Sequence, residues 1–138
     1  MENVYNITKN QTLIFVKGDS VFLQSYDSIV ARYDIGDKYI SLGCDWDYSN
    51  TTLKYVKRFI ASALGVAQTG YLSVNMFAMT PSPSLTKFTK KDIKDSLDGL
   101  VLLGIPIHRG DTQRHYNKIL EIAHYEGQFL KDNLTDEL

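Results

Sequence analysis

Ile29-Val30-Ala31-Arg32-Tyr33-Asp34-Ile35-Gly36-Asp37-Lys38-Tyr39-Ile40-Ser41-Leu42 holds two β patterns joined by a turn. Ile29, Ala31, Tyr33 and Ile35 alternate with Val30, Arg32 and Asp34, the period of a strand with one wet face. Gly36-Asp37 supplies the break, and Lys38 to Leu42 is the next run. Upstream, Leu13-Ile14-Phe15-Val16 and Val21-Phe22-Leu23 are shorter runs, separated by Lys17-Gly18-Asp19-Ser20 and followed by Asp27-Ser28. Spacing this tight leaves no room for crossover helices, so the pairing is expected to be antiparallel.

Working outward, Ser49 or Asn50 can cap a helix whose Leu53, Val56, Ile60, Ala63 and Leu64 recur at helical spacing, with Gly65 as its expected stop. Leu72, Val74, Met76 and Ala78 alternate with Ser73, Asn75 and Phe77, which predicts a fifth strand. Pro81 and Pro83 hold the next stretch extended. Thr89, with Asp92 three residues on, reads as a capping box for a second helix with Ile93, Leu97, Leu100 and Val101 as its buried stripe. Asp111 caps a last helix, roughly 112–133, with Tyr116, Ile119, Leu120, Ala123, Phe129 and Leu130 on its apolar side. The expected class is α+β: an antiparallel β-meander of four to five strands packed by one helix, followed by a C-terminal helical part of two helices. One domain over 1–138 is expected, with a sheet-and-helix half 1–79, a proline-containing linker 80–86 and a helical half 87–138.

Composition narrows the function classes. The 138 residues, 43% hydrophobic and 22% charged, suit one globular core. A single cysteine, Cys44, excludes an intrachain disulfide and favours a reducing compartment. No basic n-region precedes an apolar core, and no apolar run approaches a membrane span, so a soluble cytoplasmic protein is expected. Charge is uneven: residues 1–50 hold 4 Lys/Arg against 7 Asp/Glu, residues 51–100 hold 7 against 3, and residues 101–138 hold 4 against 6. A basic middle between acidic ends argues against a broad nucleic-acid footprint and leaves room for a local one.

Motifs for chemistry are sparse. There is no Gly-x-Ser-x-Gly elbow and no glycine-rich phosphate loop, so no catalytic residue and no cofactor are expected. His108, Asp111 and His115 form a minor candidate metal group, which leaves a metal-assisted hydrolase as an alternative function; Cys44, Asp45 and Asp47 lie together, and Glu121 and His124 are a further spaced pair. None matches a paired zinc-ligand spacing. Asp92-Ile93-Lys94 matches a metal-nuclease tripeptide but sits in a helix cap. The segment 89–107, ending Gly104-Ile105-Pro106-Ile107, resembles the recognition helix and wing entry of winged helix-turn-helix regulators. That resemblance implies a DNA-binding regulator as an alternative function, for which the basic residues Lys54, Lys57, Arg58, Lys87, Lys90, Lys91 and Lys94 are the candidate nucleic-acid contacts.

Two further stretches, Gln24-Ser25-Tyr26-Asp27-Ser28-Ile29-Val30-Ala31 and Trp46-Asp47-Tyr48-Ser49-Asn50-Thr51-Thr52-Leu53-Lys54, resemble small proteins of phages and other mobile elements of low-GC Gram-positive bacteria. The resemblance carries no catalytic residue. It implies an accessory protein that binds and inhibits or modulates a host nucleic-acid-processing enzyme, as inhibitors of CRISPR-associated nucleases do. The expected contacts are Asp34, Asp37, Asp45, Trp46, Asp47 and Tyr48, with Glu121, Tyr125 and Glu126 on the last helix. The apolar side of that helix also allows a homodimer.

Overall fold

Short hairpin turns of two to four residues set the register of the first five strands. In the computed structural model, which describes residues 2–70, Leu72, Phe77, 87–99 and 104–122, the strands are β1 (Glu2–Thr8), β2 (Gln11–Val16), β3 (Ser20–Ser25), β4 (Ser28–Asp34), β5 (Tyr39–Leu42) and β6 (Ile107–Arg109). They form one sheet in the order β1-β2-β3-β4-β5-β6. The first four pairings are antiparallel and β5–β6 is parallel, with Ile40 opposite Ile107. Tyr26, with φ 55°, takes the left-handed conformation that a tight Ser25–Ser28 hairpin demands. The fold is α+β, as expected, with two strands more than the four central runs, because β1 and β6 lie at its edges.

The helices are α1 (Asn50–Thr69), α2 (Lys90–Leu97) and α3, described over residues 112–122. Ser49 caps α1 by accepting from the Thr52 N–H at 3.1 Å. Gly65 does not end it. Val66 beyond it is buried, so tertiary packing carries the helix one turn further, to a left-handed cap at Gly70. Both bonds of the α2 capping box form: Thr89 N–H to Asp92 Oδ2 at 2.7 Å and Asp92 N–H to Thr89 Oγ1 at 3.2 Å. Asp111 caps α3 by accepting from the Arg114 N–H at 2.9 Å.

Both faces of the sheet are covered. On one, Leu13, Val21, Leu23, Tyr33, Ile40 and Leu42 meet Val56, Phe59, Ile60 and Ala63 of α1. Phe88, Ile93, Ile105 and Ile107 belong to the same core, so α2 and β6 pack into it. On the other, Ile14, Phe22 and Ile29 lie under Tyr116 and Ile119 of α3. The Phe22 and Tyr116 rings meet edge to face, 5.1 Å apart. A register shift between Leu23 and Gln24 places Ile29 opposite Gln24 and lets it join this second cluster. The wet face expected of β4 is therefore buried: Arg32 is 4% exposed because α3 closes over it.

Ile107 begins β6 inside the main sheet and pairs in parallel, whereas a wing would be an antiparallel hairpin. The expected fifth strand meets a helical Phe77. The other residues of 73–78, the linker 80–86, Leu100, Val101, and Ala123, Phe129 and Leu130 of the last helix lie outside the described residues.

Candidate functional site

The Ser25–Ser28 hairpin and the start of α1 meet at one end of the sheet. Ser25, Tyr26, Asp27, Ser28 and Val30 from the hairpin side, with Asp45, Tyr48, Ser49 and Thr52, line an open cleft of about 380 Å³. All but Asp45 are residues of the two stretches singled out above, and the Ser28 hydroxyl donates to Asp45 Oδ2, just before the second stretch, at 3.5 Å. The floor is a hydroxyl chain. Gln11 Nε2 donates to Ser25 Oγ at 2.8 Å, Ser25 Oγ and Thr52 Oγ1 share a bond at 2.9 Å, and Ser49 Oγ donates to Thr52 Oγ1 at 3.1 Å. Gln11, Ser25 and Thr52 are buried, and their bonds set the α1 start against the hairpin, although Gln11 Oε1 finds no partner among the described residues. The rim is aromatic and acidic. Tyr48 is 78% exposed and Tyr26 46%. Asp27 and Asp45 form no ion pair among the described residues.

A larger surface groove of about 770 Å³ continues past Ser28 and Asp45 to Leu42, Gly43, Cys44, Trp46 and the α3 start at Asp111–Gln113. The first turn of α3 is fastened to β4 here. Thr112 Oγ1 donates to the Ile29 carbonyl at 2.7 Å, and the Ile29 N–H donates to Gln113 Oε1 at 3.0 Å.

The expected contact residues divide. Asp45 and Tyr48 share the cleft. Trp46, expected at the surface, is instead a core residue at 4% exposure, because its indole fills space beside α1. Asp47 pairs with Lys90 at 3.4 Å. Asp34 and Asp37 lie at the opposite end of β4, roughly 20 Å away at ~3.4 Å per residue. Asp34 there binds Arg32 Nη2 at 2.9 Å and accepts the Asp37 N–H at 2.7 Å. Glu121 is exposed on α3, while Tyr125, Glu126 and His124 lie outside the described residues.

Arg32 organises the far end. Its guanidinium reaches Asp34, Asp19 at 3.5 Å and the Tyr39 hydroxyl at 3.2 Å, and its buried Nε has no partner among the described residues. Burial works to lower its pKa, but the bonds to Tyr39 and Asp34 outweigh this and raise it. His115 of α3 stands 4.0 Å from Asp19. Burial holds its imidazole below the ordinary range, and Arg32 and Lys118 add to that against Asp19 and Asp34. Of the minor metal group, His108 packs on the Tyr39 ring at 5.6 Å, Asp111 caps α3 and His115 faces Phe22. Among the described residues no three potential metal ligands converge, and no helix is long and apolar enough to cross a membrane.

The seven basic residues of the middle segment lie on α1 and at 87–94. Lys57 Nζ is 5.9 Å from the Phe88 ring centre, which puts the two groups side by side.

A family model described as a family of unknown function (DUF8033) matches residues 1–71, a span that contains β1–β5, α1 and every residue of the 380 Å³ cleft. No curated protein and no solved structure matches the chain.

Proposed function

The chain belongs to the DUF8033 family, and we propose that it is a non-catalytic binding protein whose Tyr26–Tyr48 cleft receives a lysine or arginine side chain of a protein partner. The observation that carries this is the pairing of two exposed tyrosine rings with two carboxylates, Asp27 and Asp45, that form no ion pair among the described residues, around one cleft. A cation gains on an aromatic face by about 0.5–1 kcal/mol at an exposed site and gains again from each carboxylate. The positive end of the α1 dipole opposes it by at most about 1 kcal/mol. The two carboxylates outweigh that and turn away an anion.

A partner with a basic surface fits, and enzymes that process nucleic acids present such surfaces. The chain's likeness to accessory proteins of mobile elements favours a host enzyme of that class in the cytoplasm, a CRISPR-associated nuclease being one instance. Charge complementarity would speed the encounter and select against acidic partners.

Titration of the full chain with a short arginine-rich peptide and with an acidic peptide of equal length, followed by heteronuclear NMR, tests the cleft. Shifts should centre on Tyr26, Ser28, Asp45 and Tyr48 with the basic peptide alone. Tyr48→Ala with Asp45→Lys should weaken binding at least tenfold while leaving Tm unchanged. Equal affinity for the two peptides, or an unaffected double variant, defeats the reading. Capture from nuclease-treated host lysate by wild type, lost in the double variant, would then name the partner.

A further inference from the structure

We propose that a second surface, built by α1 and α2, binds the sugar-phosphate backbone of nucleic acid. All seven Lys/Arg of the middle segment lie on these two helices and their lead-in. At about 100° per residue, Lys54, Lys57 and Arg58 fall within an arc of about 100° on α1. Lys90, Lys91 and Lys94 do the same on α2. Two contacts set the arcs beside each other: the Lys57 ammonium over the Phe88 ring, and the Lys90–Asp47 pair at 3.4 Å. Tyr55 steadies the α1 cations, with Lys54 Nζ 5.7 Å and Arg58 Cζ 5.1 Å from its ring centre.

Among the described residues, the acids in this region subtract little. Asp92 is engaged in its own capping box and Asp98 lies beside Arg109 at 3.7 Å. Counting Asp47, Asp92 and Asp95 against the seven cations leaves +4 (7 − 3) over the two helix starts.

Lysines strung along two helices, Lys54, Lys90, Lys91 and Lys94 exposed and Lys57 half-buried, match evenly spaced phosphates better than one fixed anionic group. Tyr55 is occupied by its own neighbours and offers no platform for a base. The contact is therefore with backbone and carries no sequence preference. The surface uses none of the cleft residues, so it stands or falls apart from the peptide-binding reading.

The test is fluorescence anisotropy of a labelled 20-base-pair duplex with the full chain, from 50 to 200 mM salt. If all seven cations engage phosphates, log affinity falls against log salt with a slope of about −6, a loss of about 10³–10⁴-fold across the series. Replacing Lys54, Lys91 and Lys94 together by Gln should bring the slope to about −4 at wild-type Tm. Tyr48→Ala should leave it unchanged. No binding at 50 mM salt, or a slope that the triple variant does not lower, overturns the proposal. Tighter binding to phosphatidylserine vesicles than to the duplex also overturns it and assigns the surface to lipid headgroups.

Discussion

Gly43→Ala tests how α3 is fastened to the sheet. A Cβ on Gly43 would stand 2.6 Å from Thr112 Oγ1 and 3.0 Å from the Ile29 carbonyl oxygen. The same hydroxyl donates to the same carbonyl at 2.7 Å, so the methyl group intrudes on a bond as well as on space. Overpacking costs about 1–3 kcal/mol, and stranding the Ile29 oxygen adds about 1–3 kcal/mol. Since Thr112 can swing away and trade one cost for the other, a loss of about 3 kcal/mol is expected. Thr112→Ala alone should cost about 1 kcal/mol, the net worth of its hydrogen bond. In that background the closest contact is gone, and Gly43→Ala should cost only about 1 kcal/mol. The resulting coupling, about 2 kcal/mol, is well above the scatter of independent sites. The single tryptophan, Trp46, is buried nearby and reports unfolding in guanidinium by its fluorescence. Equal costs of Gly43→Ala in the two backgrounds would refute the fastening.

Two other outcomes follow from the far end of the sheet. Arg32→Leu should cost about 2–4 kcal/mol, because Asp34 loses a buried partner. The more exposed Asp19 contributes little, and adding Asp34→Asn should restore part of the loss; an unchanged denaturation midpoint for Arg32→Leu would speak against the network. His115 titrates lower in the folded chain than in the unfolded one. The unfolded chain therefore takes up more protons between the two values, and stability is full above about pH 6.5 and declines as pH falls toward the folded value. Thermal melts at pH 7.5 and 5.5 should show a drop in wild type that is smaller in His115→Gln, and equal drops would remove His115 as the cause.

Much of this architecture is legible from local pattern. Turn residues and β-branched runs delimit β2 to β5, and caps at Ser49, Thr89 and Asp111 place three helix starts. The two missed strands lack such signals for physical reasons. In β1, Asn3 and Asn6 break the apolar run, and Val4 and Tyr5 stay exposed at the edge. β6 buries only Ile107 and draws its order from a partner strand far away in sequence. Arg32 reads as a surface residue because alternation reports which face is polar, not what later packs on it. Trp46 and Tyr48 share one motif, and only the three-dimensional fold separates a core indole from an exposed phenol. The cleft is likewise visible as two separate stretches, whose meeting depends on β4–β5 pairing.

The parallel join of β6 to β5 has a kinetic consequence. Strands β1 to β5 pair with sequence neighbours and close at small cost, so the meander and α1 can assemble early. Docking β6 must close the chain between Leu42 and Ile107, an entropy cost on the order of 4 kcal/mol. It is held by few backbone bonds, among them Ile40 N–H to the Pro106 carbonyl and Gly110 N–H to the Leu42 carbonyl. The segment from β6 into α3 is therefore the last to arrive and the first to lift. Its departure opens Ile14, Phe22 and Ile29 to water and withdraws Ile107 from the main core, where Val21 and Leu23 stay packed with α1, so amides of His108 and Arg109 exchange through a partial opening that Val21 and Leu23 do not share.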